Sequence, residues 1–179
     1  MKKLLAILLA SMLLVCGCSK NNISENNAGG VSADSKSEEQ KVTADLFAMD
    51  TYMQVTAYGK NANKAVEQAK KRINQLDSML STGKKESEVS KLNSEKTLTL
   101  SEDVGNIMER SLEIYKSTKG VFNPAIYPVM QAWGFDTKKY KVPSKENLQA
   151  TLKNTDASKI KYNKSSRVAT FENKKMEID

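Results

Sequence analysis

Chemistry in this chain falls to carboxylates, hydroxyls, backbone groups and two cysteines, because none of its 179 residues is histidine. That excludes Ser-His-Asp and Cys-His nucleophile systems and any zinc held by imidazole. Neither a Gly-x-Gly-x-x-Gly fingerprint nor a Gly-Lys-Ser/Thr loop occurs, so neither a Rossmann nor a P-loop phosphate cradle is supported. The remaining inventory favours a hard cation such as Mg2+ and phosphoryl-type chemistry. The residues best suited to hold a ligand lie between Gly120 and Phe135. These 16 positions contain two of the three prolines, the only tryptophan and two of the four phenylalanines. Aromatics set among Gly and Pro form a rigid surface with exposed backbone amides, which suits a flat, polar-edged ligand such as a flavin or nucleotide. The same pattern also describes a hydrophobic turn that closes a core.

The elements that must position this segment read as α+β. Val42–Phe47 and Tyr52–Tyr58 alternate in the manner of strands, with Met53, Val55 and Ala57 on one face. A long helix is predicted from an Asn61 cap to about Leu80, its apolar stripe formed by Ala62, Ala65, Ala69, Ile73, Leu76 and Leu80. After a turn at Thr82-Gly83 comes a short helix begun by Ser87, then an extended piece over residues 97–100. A second long helix starts at Ser101-Glu102, faces inward through Val104, Ile107, Met108, Leu112 and Tyr115, and ends at Gly120. Ser144 is predicted to cap a helix through Lys153. Residues 159–162, 168–171 and 175–178 read as short strands. The predicted fold is therefore a mixed or antiparallel sheet packed with two long helices.

Several short motifs in a fixed order carry a resemblance. Ala48-Met49-Asp50-Thr51, then Ser87-Glu88-Val89-Ser90-Lys91-Leu92-Asn93, then Gly120 to Phe135, together with the spacing to Val142-Pro143-Ser144, resemble the FAD:protein FMN transferase family over residues 42–179. The resemblance implies Mg2+-dependent cleavage of the FAD pyrophosphate, release of AMP, and attachment of FMN phosphate to a Ser/Thr hydroxyl of a target protein. It implies that Met49 touches the flavin nucleotide, where a buried strand methionine is the plainer alternative. It implies that Val121, Phe122 and Asn123 stand where the family binds FAD, in a run usually ending in aspartate. Asn123 replaces that charge by an amide able to hydrogen-bond in both senses. Asp179 matches an aspartate that contacts FAD. Gly83 falls where many members carry a stacking aromatic, a role glycine cannot take. The family continues well past this point, so the chain resembles its N-terminal portion, with the metal-coordinating residues mostly beyond Asp179. By this reading the fold is incomplete without the C-terminal half, and residues 18–179 alone should bind FAD weakly and release no AMP from it.

The start of the chain reads as a leader. Lys2 and Lys3 precede an apolar run from Leu4 to Val15, too short for a membrane-spanning helix of roughly 20 residues but right for a secretory signal. Val15-Cys16-Gly17-Cys18 then reads as a lipoprotein processing site cleaved after Gly17, with Cys18 acylated. The alternatives are a plain signal peptide with incidental cysteines, or a redox pair. The predicted organisation is a signal peptide over 1–17, a lipidated Cys18 with a polar tether over 18–41, and a folded domain over 42–179. This makes the protein exported and membrane-anchored through lipid, facing the extracytoplasmic side. Its formal charge of +7 is spread over interspersed Lys and Glu without a dense basic, aromatic-interleaved tract, so no nucleic-acid partner is indicated. The implied partners are FAD and a flavin-accepting protein of an extracytoplasmic redox complex. Two other functions fit the same residues: a surface lipoprotein that binds or hydrolyses FAD without transferring FMN, and an anchored adhesion or assembly protein with no ligand.

Overall fold

In the computed structural model, residues 40–179 are described; the leader, Cys18 and nearly all of the tether lie outside the described residues. Strands β1 (Lys41–Ala48) and β2 (Thr51–Tyr58) form an antiparallel hairpin registered Ala48↔Thr51 through Lys41↔Tyr58. Its alternation is visible in burial. Tyr52, Gln54, Thr56 and Tyr58 face out, while Met53, Val55 and Ala57 turn inward. The hairpin packs on helix α1 (Ala62–Leu80), where Ala62 and Val66 are fully covered. Two details differ from expectation. Ala65 is exposed and Val66 takes the inward position, and Asn61 makes no side-chain cap bond, its carbonyl accepting from the Ala65 N–H instead.

Helix α2 (Glu88–Glu95), strand β3 (Thr97–Thr99) and helix α3 (Glu102–Ser117) follow. Ser87 and Ser101 cap the two helices by accepting from the N–H groups of Ser90 and Val104. A one-turn 3-10 helix over Pro124–Ile126 leads into α4 (Tyr127–Trp133), and α5 (Lys145–Leu152) is capped by Ser144. Strands β4 (Ile160–Asn163) and β5 (Val168–Phe171) complete a second sheet of order β3-β5-β4, antiparallel throughout. The predicted sheet is thus two separate antiparallel sheets, each with its own long helix.

The core joins α2 and α3 to the second sheet, through Val89, Leu92, Leu100, Val104, Met108, Ala169 and Phe171. Ile107 stands outside it, 40% exposed, because it lies off the stripe that Val104 and Met108 define. Gly105 allows α3 a close approach to the second sheet: a Cβ there would collide with the Tyr162 hydroxyl.

Residues 175–178 do not form the predicted strand. Met176 and Ile178 are buried as strand alternation would place them. Their backbone, however, is held by side chains rather than by a neighbouring strand. The Asn93 Nδ2 donates to the Ile178 carbonyl and its Oδ1 accepts from the Ile178 N–H, both at 2.8 Å. Lys96 Nζ donates to the Met176 carbonyl at 2.9 Å. One amide side chain supplies the pair of bonds that a β partner would make, so this segment adds no open edge to the sheet.

Candidate functional site

A cleft of about 520 Å3 opens between the hairpin tip, the end of α1 and α4, a size typical of small-molecule sites. Met49 and Asp50 form its upper lip. They are the two residues between β1 and β2, and both have positive φ, 51° and 53°, as a two-residue type I′ hairpin turn requires. Asn-Gly is the usual pair in such a turn; a methionine there costs on the order of 1–3 kcal/mol. The surroundings hold it in place. The Met49 N–H donates to Asp77 Oδ1 at 2.8 Å, and Lys138 Nζ reaches Asp50 Oδ1 at 3.3 Å. Met49 is 43% exposed, so it is a presented side chain and not a buried strand methionine.

The far wall comes from the Ser87-to-Asn93 motif acting indirectly. Ser87 Oγ donates to the Ser81 carbonyl at 2.6 Å, and Ser90 Oγ to the Thr82 carbonyl at 3.0 Å, fixing the Ser81–Gly83 stretch that lines the cleft. Three residues further along α2, Asn93 holds Ile178 and thereby places Asp179. Asp179 Oδ1 accepts from Thr82 Oγ1 at 3.2 Å, and its N–H donates to the Pro124 carbonyl at 3.2 Å. The motif is therefore scaffold: Ser87, Ser90 and Asn93 are spent on backbone groups at two of the cleft's walls, while Glu88 accepts from the Ser101 N–H and Lys91 pairs with Glu86.

The floor comes from α4 and the turn after it. Tyr127 and Met130 line it from the helix. Gly134, with φ of 77°, ends α4 in a Schellman arrangement: its N–H donates to Gln131 and the Phe135 N–H to Met130. This turn brings Phe135 to the cleft, where its ring meets Tyr140 edge-on at 5.6 Å between centroids. Val121, Phe122 and Asn123 do not line the cleft. Val121 is 90% exposed and Phe122 42% exposed. Asn123 bonds in both senses, but to backbone: its Oδ1 accepts from the Ala125 N–H and its Nδ2 donates to the Thr155 carbonyl at 2.7 Å. An aspartate there would keep the first bond and lose the second. Of the five predicted flavin-contacting residues, Met49 and Asp179 share one cavity, and the 121–123 run stands behind the Pro124 carbonyl that Asp179 contacts.

Sequence reasoning passed over Asp77, Asp136 and Lys138, and reached Met130 only as part of the Gly120 to Phe135 segment. A signal for Asp77 exists. It falls on the apolar stripe of α1, four residues after Ile73 and three before Leu80, where a carboxylate is out of place unless it has a partner. The Lys84 ammonium, followed by the Met49 N–H, holds the Asp77 carboxyl below the usual carboxylate range.

Electrostatically the cleft is acidic: among the described residues that line it, Asp50, Asp77, Asp136 and Asp179 stand against the cation Lys138. Among the described residues, no three His, Cys, Asp or Glu side chains converge as metal ligands. Asp77 and Asp50 are already engaged by lysines. The described residues therefore do not fit a Mg2+ site. What the cleft does offer is a thioether and aromatic walls for a flat ring, with carboxylates at its rim to accept from ring N–H or sugar hydroxyls.

The fold has counterparts among solved structures. The ApbE protein from Thermotoga maritima superposes with a TM-score of 0.71 at 20% identity, over 78% of this chain and 47% of that one. Flavin transferase ApbE from Vibrio cholerae superposes with a TM-score of 0.69 at 17% identity, over 79% of this chain and 48% of that one. These likenesses establish the architecture. The FAD:protein FMN transferase of Escherichia coli (strain K12) is 30% identical over 110 residues, 57% of this chain and 31% of that protein. The chain spans less than half the length of each of these relatives. Residues 49–179, from the strained hairpin tip to the aspartate that closes the cleft, match the ApbE family, and the chain belongs to that family.

Proposed function

We propose that this protein takes part in flavin transfer: it binds FAD in the cleft between Met49 and Asp179, and FMN passes from FAD to a Ser/Thr hydroxyl of an extracytoplasmic acceptor protein, with release of AMP. The observation that carries the reading is the convergence of Met49, Phe135 and Asp179 on one cavity of suitable size in a chain of the ApbE family. In the reaction, the acceptor oxygen forms a bond to the FMN phosphorus as the bond to the bridging pyrophosphate oxygen breaks. AMP leaves, and the hydroxyl proton is lost. The barrier to such an in-line displacement falls mainly through positioning and charge neutralisation.

The lining favours one part of FAD over the other. With Asp50 and Asp77 paired to Lys138 and Lys84, Asp136 and Asp179 disfavour an anionic pyrophosphate, whereas an isoalloxazine ring and ribityl hydroxyls present donors to the carboxylates. This supports reading the cleft as the flavin end of the site. Mg2+ dependence is part of the same proposal and rests on the family resemblance; no step of the reaction is assigned through the metal.

Flavin fluorescence titrated with the protein tests the binding half. Saturable quenching by the wild type is expected, and Met49→Ala should weaken it by a factor equivalent to about 1 kcal/mol, the scale of a sulfur–aromatic contact. An unchanged affinity would make Met49 a turn residue only. The transfer half is read in the protein as its cell makes it, by covalent yellow colour on an acceptor protein. Quenching without transfer would favour a lipoprotein that binds or hydrolyses FAD.

Export and anchoring through an acylated Cys18 complete the proposal, supported by the lysines, apolar run and Gly17-Cys18 site at the start of the chain. Cys18→Ser should release the protein from the membrane fraction, while Cys16→Ser should not. Acylated, membrane-bound Cys18→Ser protein would defeat this assignment.

A further inference from the structure

We infer that Asp77 is a positioning residue: its carboxylate clamps the Met49–Asp50 turn to the end of α1 and so sets the upper lip of the cleft. Local forces alone do not account for an aspartate at this position. It lies in the last turn of α1, where the helix dipole disfavours negative charge, and that turn contains no basic residue. It also lies on the helix face that carries Ile73 and Leu80. Both penalties are met by tertiary contacts. Asp77 Oδ1 takes the Met49 N–H, and Oδ2 takes the Lys84 ammonium from the loop that forms the opposite wall.

The Met49 N–H belongs to a turn whose two central residues both hold positive φ without glycine. A turn of unfavoured composition persists only where its surroundings over-determine it. On the hairpin side, the ladder ends at Ala48↔Thr51, and the two turn residues lie beyond it. The clamp on the Met49 amide ties them to α1, beside the exposed ion pair of Asp50 with Lys138. Because Lys84 is held by the same carboxylate, the two lips of the cleft are tied through one side chain. The consequence for FAD rests on the reading of the cleft as a flavin site; the clamp itself does not.

The test is amide hydrogen exchange on the full chain, with FAD titration alongside. In the wild type the Met49 amide should be protected. Asp77→Ala should speed its exchange at least about tenfold while leaving the amides of β1 and β2 unchanged, the sign of a local opening. Asp77→Asn, which keeps an acceptor oxygen but drops the charge, should retain most of that protection. FAD affinity should follow the same order, falling about tenfold in Asp77→Ala and about threefold or less in Asp77→Asn. Unchanged Met49 exchange in Asp77→Ala overturns the clamp. So does an equal acceleration throughout the hairpin, which would reduce Asp77 to general packing. If the wild type binds no FAD, the flavin reading fails, and the exchange pattern still decides for or against the clamp.

Discussion

Asn93→Ala should cost about 2–4 kcal/mol of stability and release the segment that carries Asp179. Asn93 is only 8% exposed, and its amide satisfies both the N–H and the carbonyl of Ile178, which is itself buried. Truncation leaves two backbone groups without partners in the interior, each costing about 1–3 kcal/mol, partly recovered if the segment peels into water. Urea denaturation measures the total. Exchange at Ile178 separates the routes, since peeling raises it well before global unfolding. Asn93→Asp should fare no better: the carboxylate still accepts from the N–H but sets a negative oxygen against the carbonyl. A loss below about 0.5 kcal/mol for Asn93→Ala would mean that the apolar contacts of Met176 and Ile178, with the bonds from Lys96 and to Pro124, hold the segment without Asn93.

Gly134→Ala is the second large effect, with an expected loss of about 2–4 kcal/mol. Two costs combine. The residue sits at φ 77°, where an alanine is strained. A Cβ would also run into the Lys139 carbonyl, which is backbone and cannot rotate aside. The chain can escape only by opening the turn, which breaks the bonds from Phe135 to Met130 and from Lys141 to Trp133. Phe135 then leaves the cleft, so the variant should lose flavin quenching as well as melting temperature. A variant that melts within a degree or two of wild type would show that the turn after α4 is softer than its geometry implies. The contrast with Gly83 is instructive. A Cβ there meets only the Ser81 hydroxyl at 3.7 Å, so the cleft could accept a side chain where this sequence has none.

Both predictions concern residues that lie inside motifs legible in the sequence but whose contacts the sequence does not show, and the reason separates what was legible from what was not. The helices were legible because apolar spacing of three and four repeats over many residues. Ser87, Ser101 and Ser144 announced three helix starts through a hydroxyl placed just before them. The hairpin was legible by alternation. Errors fell where a local pattern has two tertiary outcomes. Lys175 to Ile178 alternates like a strand and buries Met176 and Ile178 as a strand would, yet Asn93 takes the place of its neighbour. Ile107 is apolar and near the stripe of α3, and still faces water.

The sequence by itself determined the order of the elements and the α+β class, and its family resemblance pointed to Met49 and Asp179, which share the cleft. Only the tertiary structure decided what those motifs do. It made Ser87, Ser90 and Asn93 into supports for two walls, turned Asn123 toward backbone, and brought Asp77 under the hairpin tip. The physical reason is range. Periodicity and caps act within one or two helical turns, so they leave a trace in neighbouring letters. A hydrogen bond from residue 93 to residue 178 exists only once packing has brought separate elements within 3 Å, and leaves no such trace. The bond from 49 to 77 leaves only a carboxylate out of place on an apolar stripe, with no mark of its partner.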